Sequence, residues 1–144
     1  MSLFLAIDQS TSATKAFLFD DADRIVDRES IAHRQHYPQP GWVEHDVEEI
    51  WQNTRRILQR LIGRQEARRA EIVSFSIANQ RETIVVFDRA TGLPLYPAIV
   101  WQCRRGAGLC QRHSDSGHDT LVQEKTGLRL DAYFSASKIQ WLIE

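Results

Sequence analysis

Asp8 closes the apolar run Leu3-Phe4-Leu5-Ala6-Ile7 and opens the hydroxyl-rich segment Ser10-Thr11-Ser12-Ala13-Thr14-Lys15. A carboxylate there can hold Mg²⁺ through water, because that ion keeps most of its hydration shell. Tight-turn amides, with the hydroxyls of Thr11 and Ser12, can surround phosphate oxygens. Lys15 can offset charge on a transferring phosphoryl group. The same residues also fit a polar hairpin whose Ser and Thr bond their own backbone. A second constellation is the adjacent pair Arg81 and Glu82. Together they offer a fork of donors and an acceptor, which suits neighbouring hydroxyls on a polyol. Adjacent side chains on a regular strand point to opposite faces, so both reach one ligand only if the backbone turns near Asn79. Two surface charges at a strand end are the alternative. Trp101 and Tyr133 can wall a small ligand, with the Tyr133 hydroxyl as a polar handle, or can pack in a core.

Other chemistries lack their motifs. There is no G-x-x-x-x-G-K-[ST] phosphate loop, and Gly106-Ala107-Gly108 has Gln111 where a dinucleotide fingerprint needs Gly. No G-x-S-x-G nucleophile elbow occurs. His33, His36, His45, His113 and His118 do not combine with Cys103 and Cys110 at zinc-site spacing, and they read as surface or capping histidines. If both cysteines lie on one helix, they are about 10.5 Å apart along its axis. That is too far for a disulfide, so both are expected as reduced thiols. Arg55, Arg56, Arg60, Arg64, Arg68 and Arg69 could form an anion-binding patch, but a solvated helix face is the better reading at a net charge of −1.

These residues need a scaffold. The 144 residues suit a single domain, and 13 aromatic residues (six Phe, four Trp, three Tyr) supply burial. The near-zero charge removes a global electrostatic case for nucleic acid or an anionic membrane. No apolar run approaches the ~20 residues of a membrane helix. The run Leu3–Ile7 has no basic segment before it and meets Asp8 at once, unlike a secretory leader. Strands are expected over 3–7, 16–19 and 25–32, joined by short links into an antiparallel meander. The Pro- and Gly-containing stretch Tyr37–Trp42 is a loop. Asp46 then caps an amphipathic helix carrying Val47, Ile50, Trp51, Ile57, Leu58 and Leu61, with Glu49 completing a capping box. Ile72–Ala78 reads as a strand. A hairpin follows around Asp88–Gly92, with Gly92 in the strained position, and Ala98–Trp101 is extended. Helices are expected from Arg104 to about Ser116, from Asp119 to Lys125 with Gly127 as C-cap, and from Ser135 onward. That last helix is still apolar at Glu144, the pattern of a cut chain, so Trp141 is expected to be exposed. The element order means α/β or α+β.

Together, AIDQSTSATKAFLFD, YPQPGWVEHDVEEIW, IANQRET, AIVWQCRR and TGLRLDAYFSASKIQWL run in order over almost the whole chain. They resemble the N-terminal part of the FGGY carbohydrate kinases, most closely the members that phosphorylate glycerol. The resemblance implies an α/β, ribonuclease-H-like (actin-like ATPase) domain: a mixed sheet with an antiparallel three-strand meander and flanking helices, incomplete at its C-terminal end. Residues 1–144 would be a partial N-terminal kinase domain, with the rest of that domain and a second domain absent. ATP with Mg²⁺ would phosphorylate glycerol or a related polyol or sugar. Asp8 would sit at the metal and, with Lys15, act in catalysis. Thr11, Ser12, Ala13 and Lys15 would line the nucleotide phosphates. Arg81, Glu82, Trp101 and Tyr133 would form part of the glycerol pocket. The full-length protein would be a cytoplasmic homo-oligomer with no nucleic-acid or membrane partner. This segment alone would be inactive, since the family's catalytic aspartate and second phosphate loop lie further along the chain. Ser10, Ala132 and Ala136 stand where the family commonly has Gly, Pro and Gly. Ala13 replaces a hydroxyl-bearing residue, and Lys15 stands in for an arginine. Related readings are a pentulose kinase and a non-catalytic polyol- or nucleotide-binding module.

Overall fold

A computed structural model describes residues 2–144. The chain divides into two compact units. One comprises the segments through Arg34 and Asp46–Gln80, and the other comprises Gln35–His45 and Arg81–Glu144.

The first unit is built on a four-stranded mixed sheet. Strands β1 (Leu3–Gln9), β2 (Ala13–Asp20) and β3 (Ile25–Ala32) form the expected antiparallel meander. Helix α1 (Val47–Arg64) follows a short strand of the other unit, β4 (Glu44–His45), and precedes strand β5 (Ile72–Ala78). β5 lies parallel to β1, giving the order β3-β2-β1-β5. Leu3, Leu5, Ala16 and Leu18 alternate onto one face and pack on Ile57 and Leu61 of α1. Each such fully buried Leu or Ile contributes roughly 1.5–3 kcal/mol. Asp46 caps α1 as expected, accepting from the N–H groups of Glu48 and Glu49. The reciprocal half of the capping box is replaced: the Glu49 carboxylate accepts from the Arg34 N–H instead. β5 is an edge strand. Val73, Phe75 and Ile77 are more than half exposed, while Ile72 at the start of the strand packs on the core under α1 with Val26 and Ile31 of β3.

The basic face of α1 is not an anion patch. Arg64 donates to both carboxylate oxygens of Asp27, to Glu29 and to the Arg28 carbonyl. Arg60 also pairs with Glu29, and Arg68 pairs with Glu71. The hydrogen bonds from Arg64 hold the Asp27 and Glu29 carboxyls below their ordinary values. Arg24 does the same for Asp20, and Arg68 for Glu71. A carboxylate with a depressed folded-state value stabilises the fold above the unfolded value, and that contribution is lost as pH falls through the folded one. The thermal unfolding midpoint should therefore hold between pH 7 and about 5 and fall steeply below about 4. Arg64→Met should make the fall shallower. A midpoint unchanged down to pH 3, followed by circular dichroism, would show that these pairs contribute nothing.

In the second unit, β4 pairs antiparallel with β6 (Ala98–Ile99). Bridges His36 to Glu44 and Ile84 to Ile99 extend the pairing on either side. Val43, Ile99, Val100 and Cys103 are its buried centre. Three helices follow: α2 (Ala107–Asp115), α3 (Asp119–Thr126) and α4 (Ser135–Ile143). α2 starts three residues later than expected. Gly106 permits that start to approach α4, since a Cβ there would lie 2.6 Å from Ser137 Oγ. Gly92 and Gly127 adopt positive φ as expected.

Two expectations are corrected, on the histidines and on Trp141. His33 and His45 are buried, not surface residues. The His33 Nε2–H donates to the Thr11 carbonyl. Cys103 lies in the turn before α2, which carries Cys110, and the two are free thiols as expected. Trp141 is half-buried, its ring edge-on to Trp42 at 5.0 Å. Ile143, at 80% exposure, and Ile139 are the open apolar residues of α4.

Candidate functional site

Strand pairing reduces the expected phosphate loop to the three-residue turn Ser10-Thr11-Ser12. The Ser10 N–H and Oγ both donate to the Ala13 carbonyl. The His33 N–H binds the Ser12 carbonyl, and Gln80 Nε2 binds that of Ser10. With its carbonyls held from within the unit, the turn has the fixed geometry that an anion-binding cradle of amides needs. Ser10 is free of the left-handed φ that would demand glycine, so its Cβ costs no backbone strain. Its hydroxyl does bond local backbone, as a plain hairpin would. Ser12 is exposed and Ala13 is buried at the start of β2.

Asp8 and Lys15 are register partners across β1 and β2. Their side chains therefore share a sheet face, and Lys15 Nζ lies 3.1 Å from Asp8 Oδ2. The Lys15 and Asp8 side chains are 36% and 42% exposed, respectively, and an ion pair this open contributes little stability. It can thus part to admit a phosphate or a hydrated cation. Among the described residues no three His, Cys, Asp or Glu cluster to hold a metal. A single aspartate still fits Mg²⁺, which binds through one or two carboxylates plus phosphate oxygens.

Arg81, Glu82, Trp101 and Tyr133 all belong to the second unit. The chain leaves its strand at Ala78 and turns at Arg81-Glu82, supplying the break that the pair requires. Glu82 has φ +61°, a left-handed conformation that costs a non-glycine residue roughly 1–2 kcal/mol. The structure around it holds that conformation in place. Glu82 Oε2 accepts from the Ser135 N–H at 2.9 Å and from its hydroxyl at 2.8 Å. This caps α4 from a distant part of the chain, because its own N-cap residue, Phe134, has no capping side chain. Thr83 Oγ1 accepts from the Trp101 N–H, and the Trp101 ring meets Tyr133 edge-on at 5.8 Å. Glu82, Trp101 and Tyr133 are thereby brought together through Thr83 and Ser135. Arg81 is exposed beside them. A cavity of about 430 Å³ in this unit is lined by other residues, among them Cys110, His113, Leu121 and Phe134, and none of the four lines it.

Two participants carry no distinguishing signal in the sequence. Ser135 is one hydroxyl among several. Lys138 is fully buried, its ammonium donating to the carbonyls of Tyr133 and Phe134. Burial lowers its pKa, against the pull of Glu82 and Asp131. A lysine three residues into a helix ordinarily reads as a surface charge.

The sequence pattern of the FGGY family of carbohydrate kinases, N-terminal domain, matches residues 3–144. Glycerol kinase 1 of Thermotoga maritima is 49% identical over 140 residues, which are 97% of this chain and 28% of that protein. The glycerol kinase of Carboxydothermus hydrogenoformans gives the same identity and coverage. Among solved structures, Plasmodium falciparum glycerol kinase with ADP superposes with a TM-score of 0.88 at 40% identity, over 99% of this chain and 29% of that one. A xylulose kinase from Lactobacillus acidophilus superposes equally well, at 0.88, but with 19% identity, over 100% of this chain and 29% of that one. That second likeness is one of fold alone. The chain spans less than a third of the length of each of these relatives.

Proposed function

Because the chain belongs to the FGGY family of carbohydrate kinases, we propose that the longer protein it serves transfers the γ-phosphoryl group of ATP to a terminal hydroxyl of glycerol. One observation carries the choice of glycerol. Identity is 49% to the Thermotoga maritima glycerol kinase but 19% and 20% to xylulose and gluconate kinases of nearly the same backbone. The solved Plasmodium falciparum relative holds ADP, which supports an adenine nucleotide as donor.

The second unit supplies the polyol's partners. Glu82 accepts hydrogen bonds from hydroxyls, and Arg81 donates to them. The Trp101–Tyr133 pair lies against the carbon chain and excludes water. Thr11 and Ser12 of the turn, with Ala13 at the start of β2, offer amides and hydroxyls to phosphate oxygens. Lys15 leaves Asp8 to offset their charge. Mg²⁺ held through Asp8 would neutralise charge spread over the phosphates. The hydroxyl oxygen attacks phosphorus as the bridging oxygen departs with ADP. Its proton passes to a base that we assign to none of these residues. A cytoplasmic setting accords with two unbridged cysteines.

The test is ADP release by the full-length protein over glycerol, xylulose and gluconate. Glycerol should give a kcat/KM at least tenfold above either sugar. A ketopentose preference would replace the substrate, and no turnover on any would leave a binding module.

A further inference from the structure

We propose that Lys138 is a positioning residue of the polyol site, its ammonium clamping the turn that carries Tyr133 and the Ser135 donors that hold Glu82. The inference rests on the polyol reading of Glu82, Trp101 and Tyr133.

Lys138 is poorly placed for stability. Its side chain is fully buried, and taking an ammonium out of water is costly. It also sits at the N-terminus of α4, the positive end of the helix, where cations are disfavoured. Among the described residues no carboxylate lies within ion-pair distance of it. Its partners are the Tyr133 and Phe134 carbonyls. Glu82 and Asp131 attract it through space.

What the ammonium gains is a fixed geometry. It ties residues 133 and 134 together just before Ser135. Asp131 supports the same turn from the other side, its Oδ1 accepting from the Tyr133 N–H and its carbonyl from the Phe134 N–H. Two readouts depend on that turn: the Tyr133 ring against Trp101, and the grip of Ser135 on the strained Glu82. Lys138 touches neither, and it acts on the polyol through both.

The experiment compares the unsubstituted full-length protein with Lys138→Met and Glu82→Ala. Methionine keeps the length and apolar stem while removing the charge and its donors. Lys138→Met should keep its thermal midpoint within a few degrees, raise the glycerol KM at least tenfold and leave the ATP KM within twofold. A merely structural lysine would lose stability and leave both constants unmoved in the folded fraction. An unchanged glycerol KM in a folded Lys138→Met protein overturns the proposal. If that variant does not fold, reductive methylation of the unsubstituted protein decides. Saturating glycerol should slow modification of Lys138 at least fivefold, with exposed Lys125 as internal reference, and an unchanged rate overturns the proposal. Glu82→Ala separates the two claims. If its glycerol KM is unchanged, the polyol reading itself fails. If its KM rises while that of Lys138→Met does not, only the role of Lys138 is lost.

Discussion

Glu82→Ala in the full-length protein is expected to raise the KM for glycerol by about 100-fold or more, with a much smaller change in the KM for ATP. The size follows from what the carboxylate does. Oε2 is committed to the N–H and hydroxyl of Ser135, which fixes the direction of Oε1. Hydrogen bonds to a charged group are worth roughly 1.5–3 kcal/mol each, so losing two contacts of the kind proposed between Glu82 and the polyol costs about two to four powers of ten in affinity. The same change removes the remote cap of α4, and the thermal midpoint should fall as well. A second substitution separates the two effects. Glycine tolerates φ +61°, so Glu82→Gly should recover about 1 kcal/mol of backbone strain relative to alanine. It should recover none of the glycerol affinity. Glu82→Gln keeps an acceptor without its charge and should fall between wild type and alanine. Steady-state kinetics on the three variants, with unfolding curves beside them, check this ordering. A glycerol KM within twofold of wild type in all three would take Glu82 out of the pocket.

The parts of this molecule legible in the sequence are those governed by near neighbours in the chain. The bounds of β3 and β5, the cap at Asp46 and the positive φ of Gly92 and Gly127 each follow from a few consecutive residues. Conformations imposed from afar were hidden. Nothing near Glu82 announces a left-handed backbone, because the constraint comes from Ser135, 53 positions away. His45 gives no local sign of being buried, since its place in β4 is set by pairing with Ala98, far along the chain. The tail of the chain reads as an open apolar face because Trp42 and Tyr96, which pack on Trp141, lie outside any local window. The polar hairpin between β1 and β2 is readable in composition, but the pairing of Lys15 with Asp8 is not. Two groups given separate tasks in the sequence reading pair with each other across β1 and β2. For the polyol set, the sequence named Arg81, Glu82, Trp101 and Tyr133. The links among the last three, Thr83 and Ser135, carried no signal of their own.

Arg105→Ala is expected to destabilise the second unit by about 3–5 kcal/mol, because it breaks a buried ion pair by removing one partner. The Arg105 side chain is fully enclosed. One terminal nitrogen donates to Glu44 Oε1 at 2.6 Å, the other to the Tyr96 hydroxyl, and Nε to the Cys103 sulfur. Its guanidinium lies 4.1 Å from the centre of the Trp42 ring and 4.7 Å from that of Trp141. Desolvation opposes the charge, and the partners outweigh it, so its pKa stays raised. Truncation leaves Glu44 buried without its cation and opens a void against the faces of two indoles that already meet edge-on. Lysine should not rescue the loss, because a compact ammonium cannot cover the two rings as a planar guanidinium does or match its fork of donors. Glu44→Gln together with Arg105→Met should recover most of it, since replacing a buried ion pair whole is far cheaper than breaking it. Denaturant unfolding followed by Trp42 and Trp141 fluorescence reads the cycle directly. If Arg105→Ala and the double variant unfold at the same midpoint, the penalty comes from lost packing around the indoles and not from the stranded carboxylate.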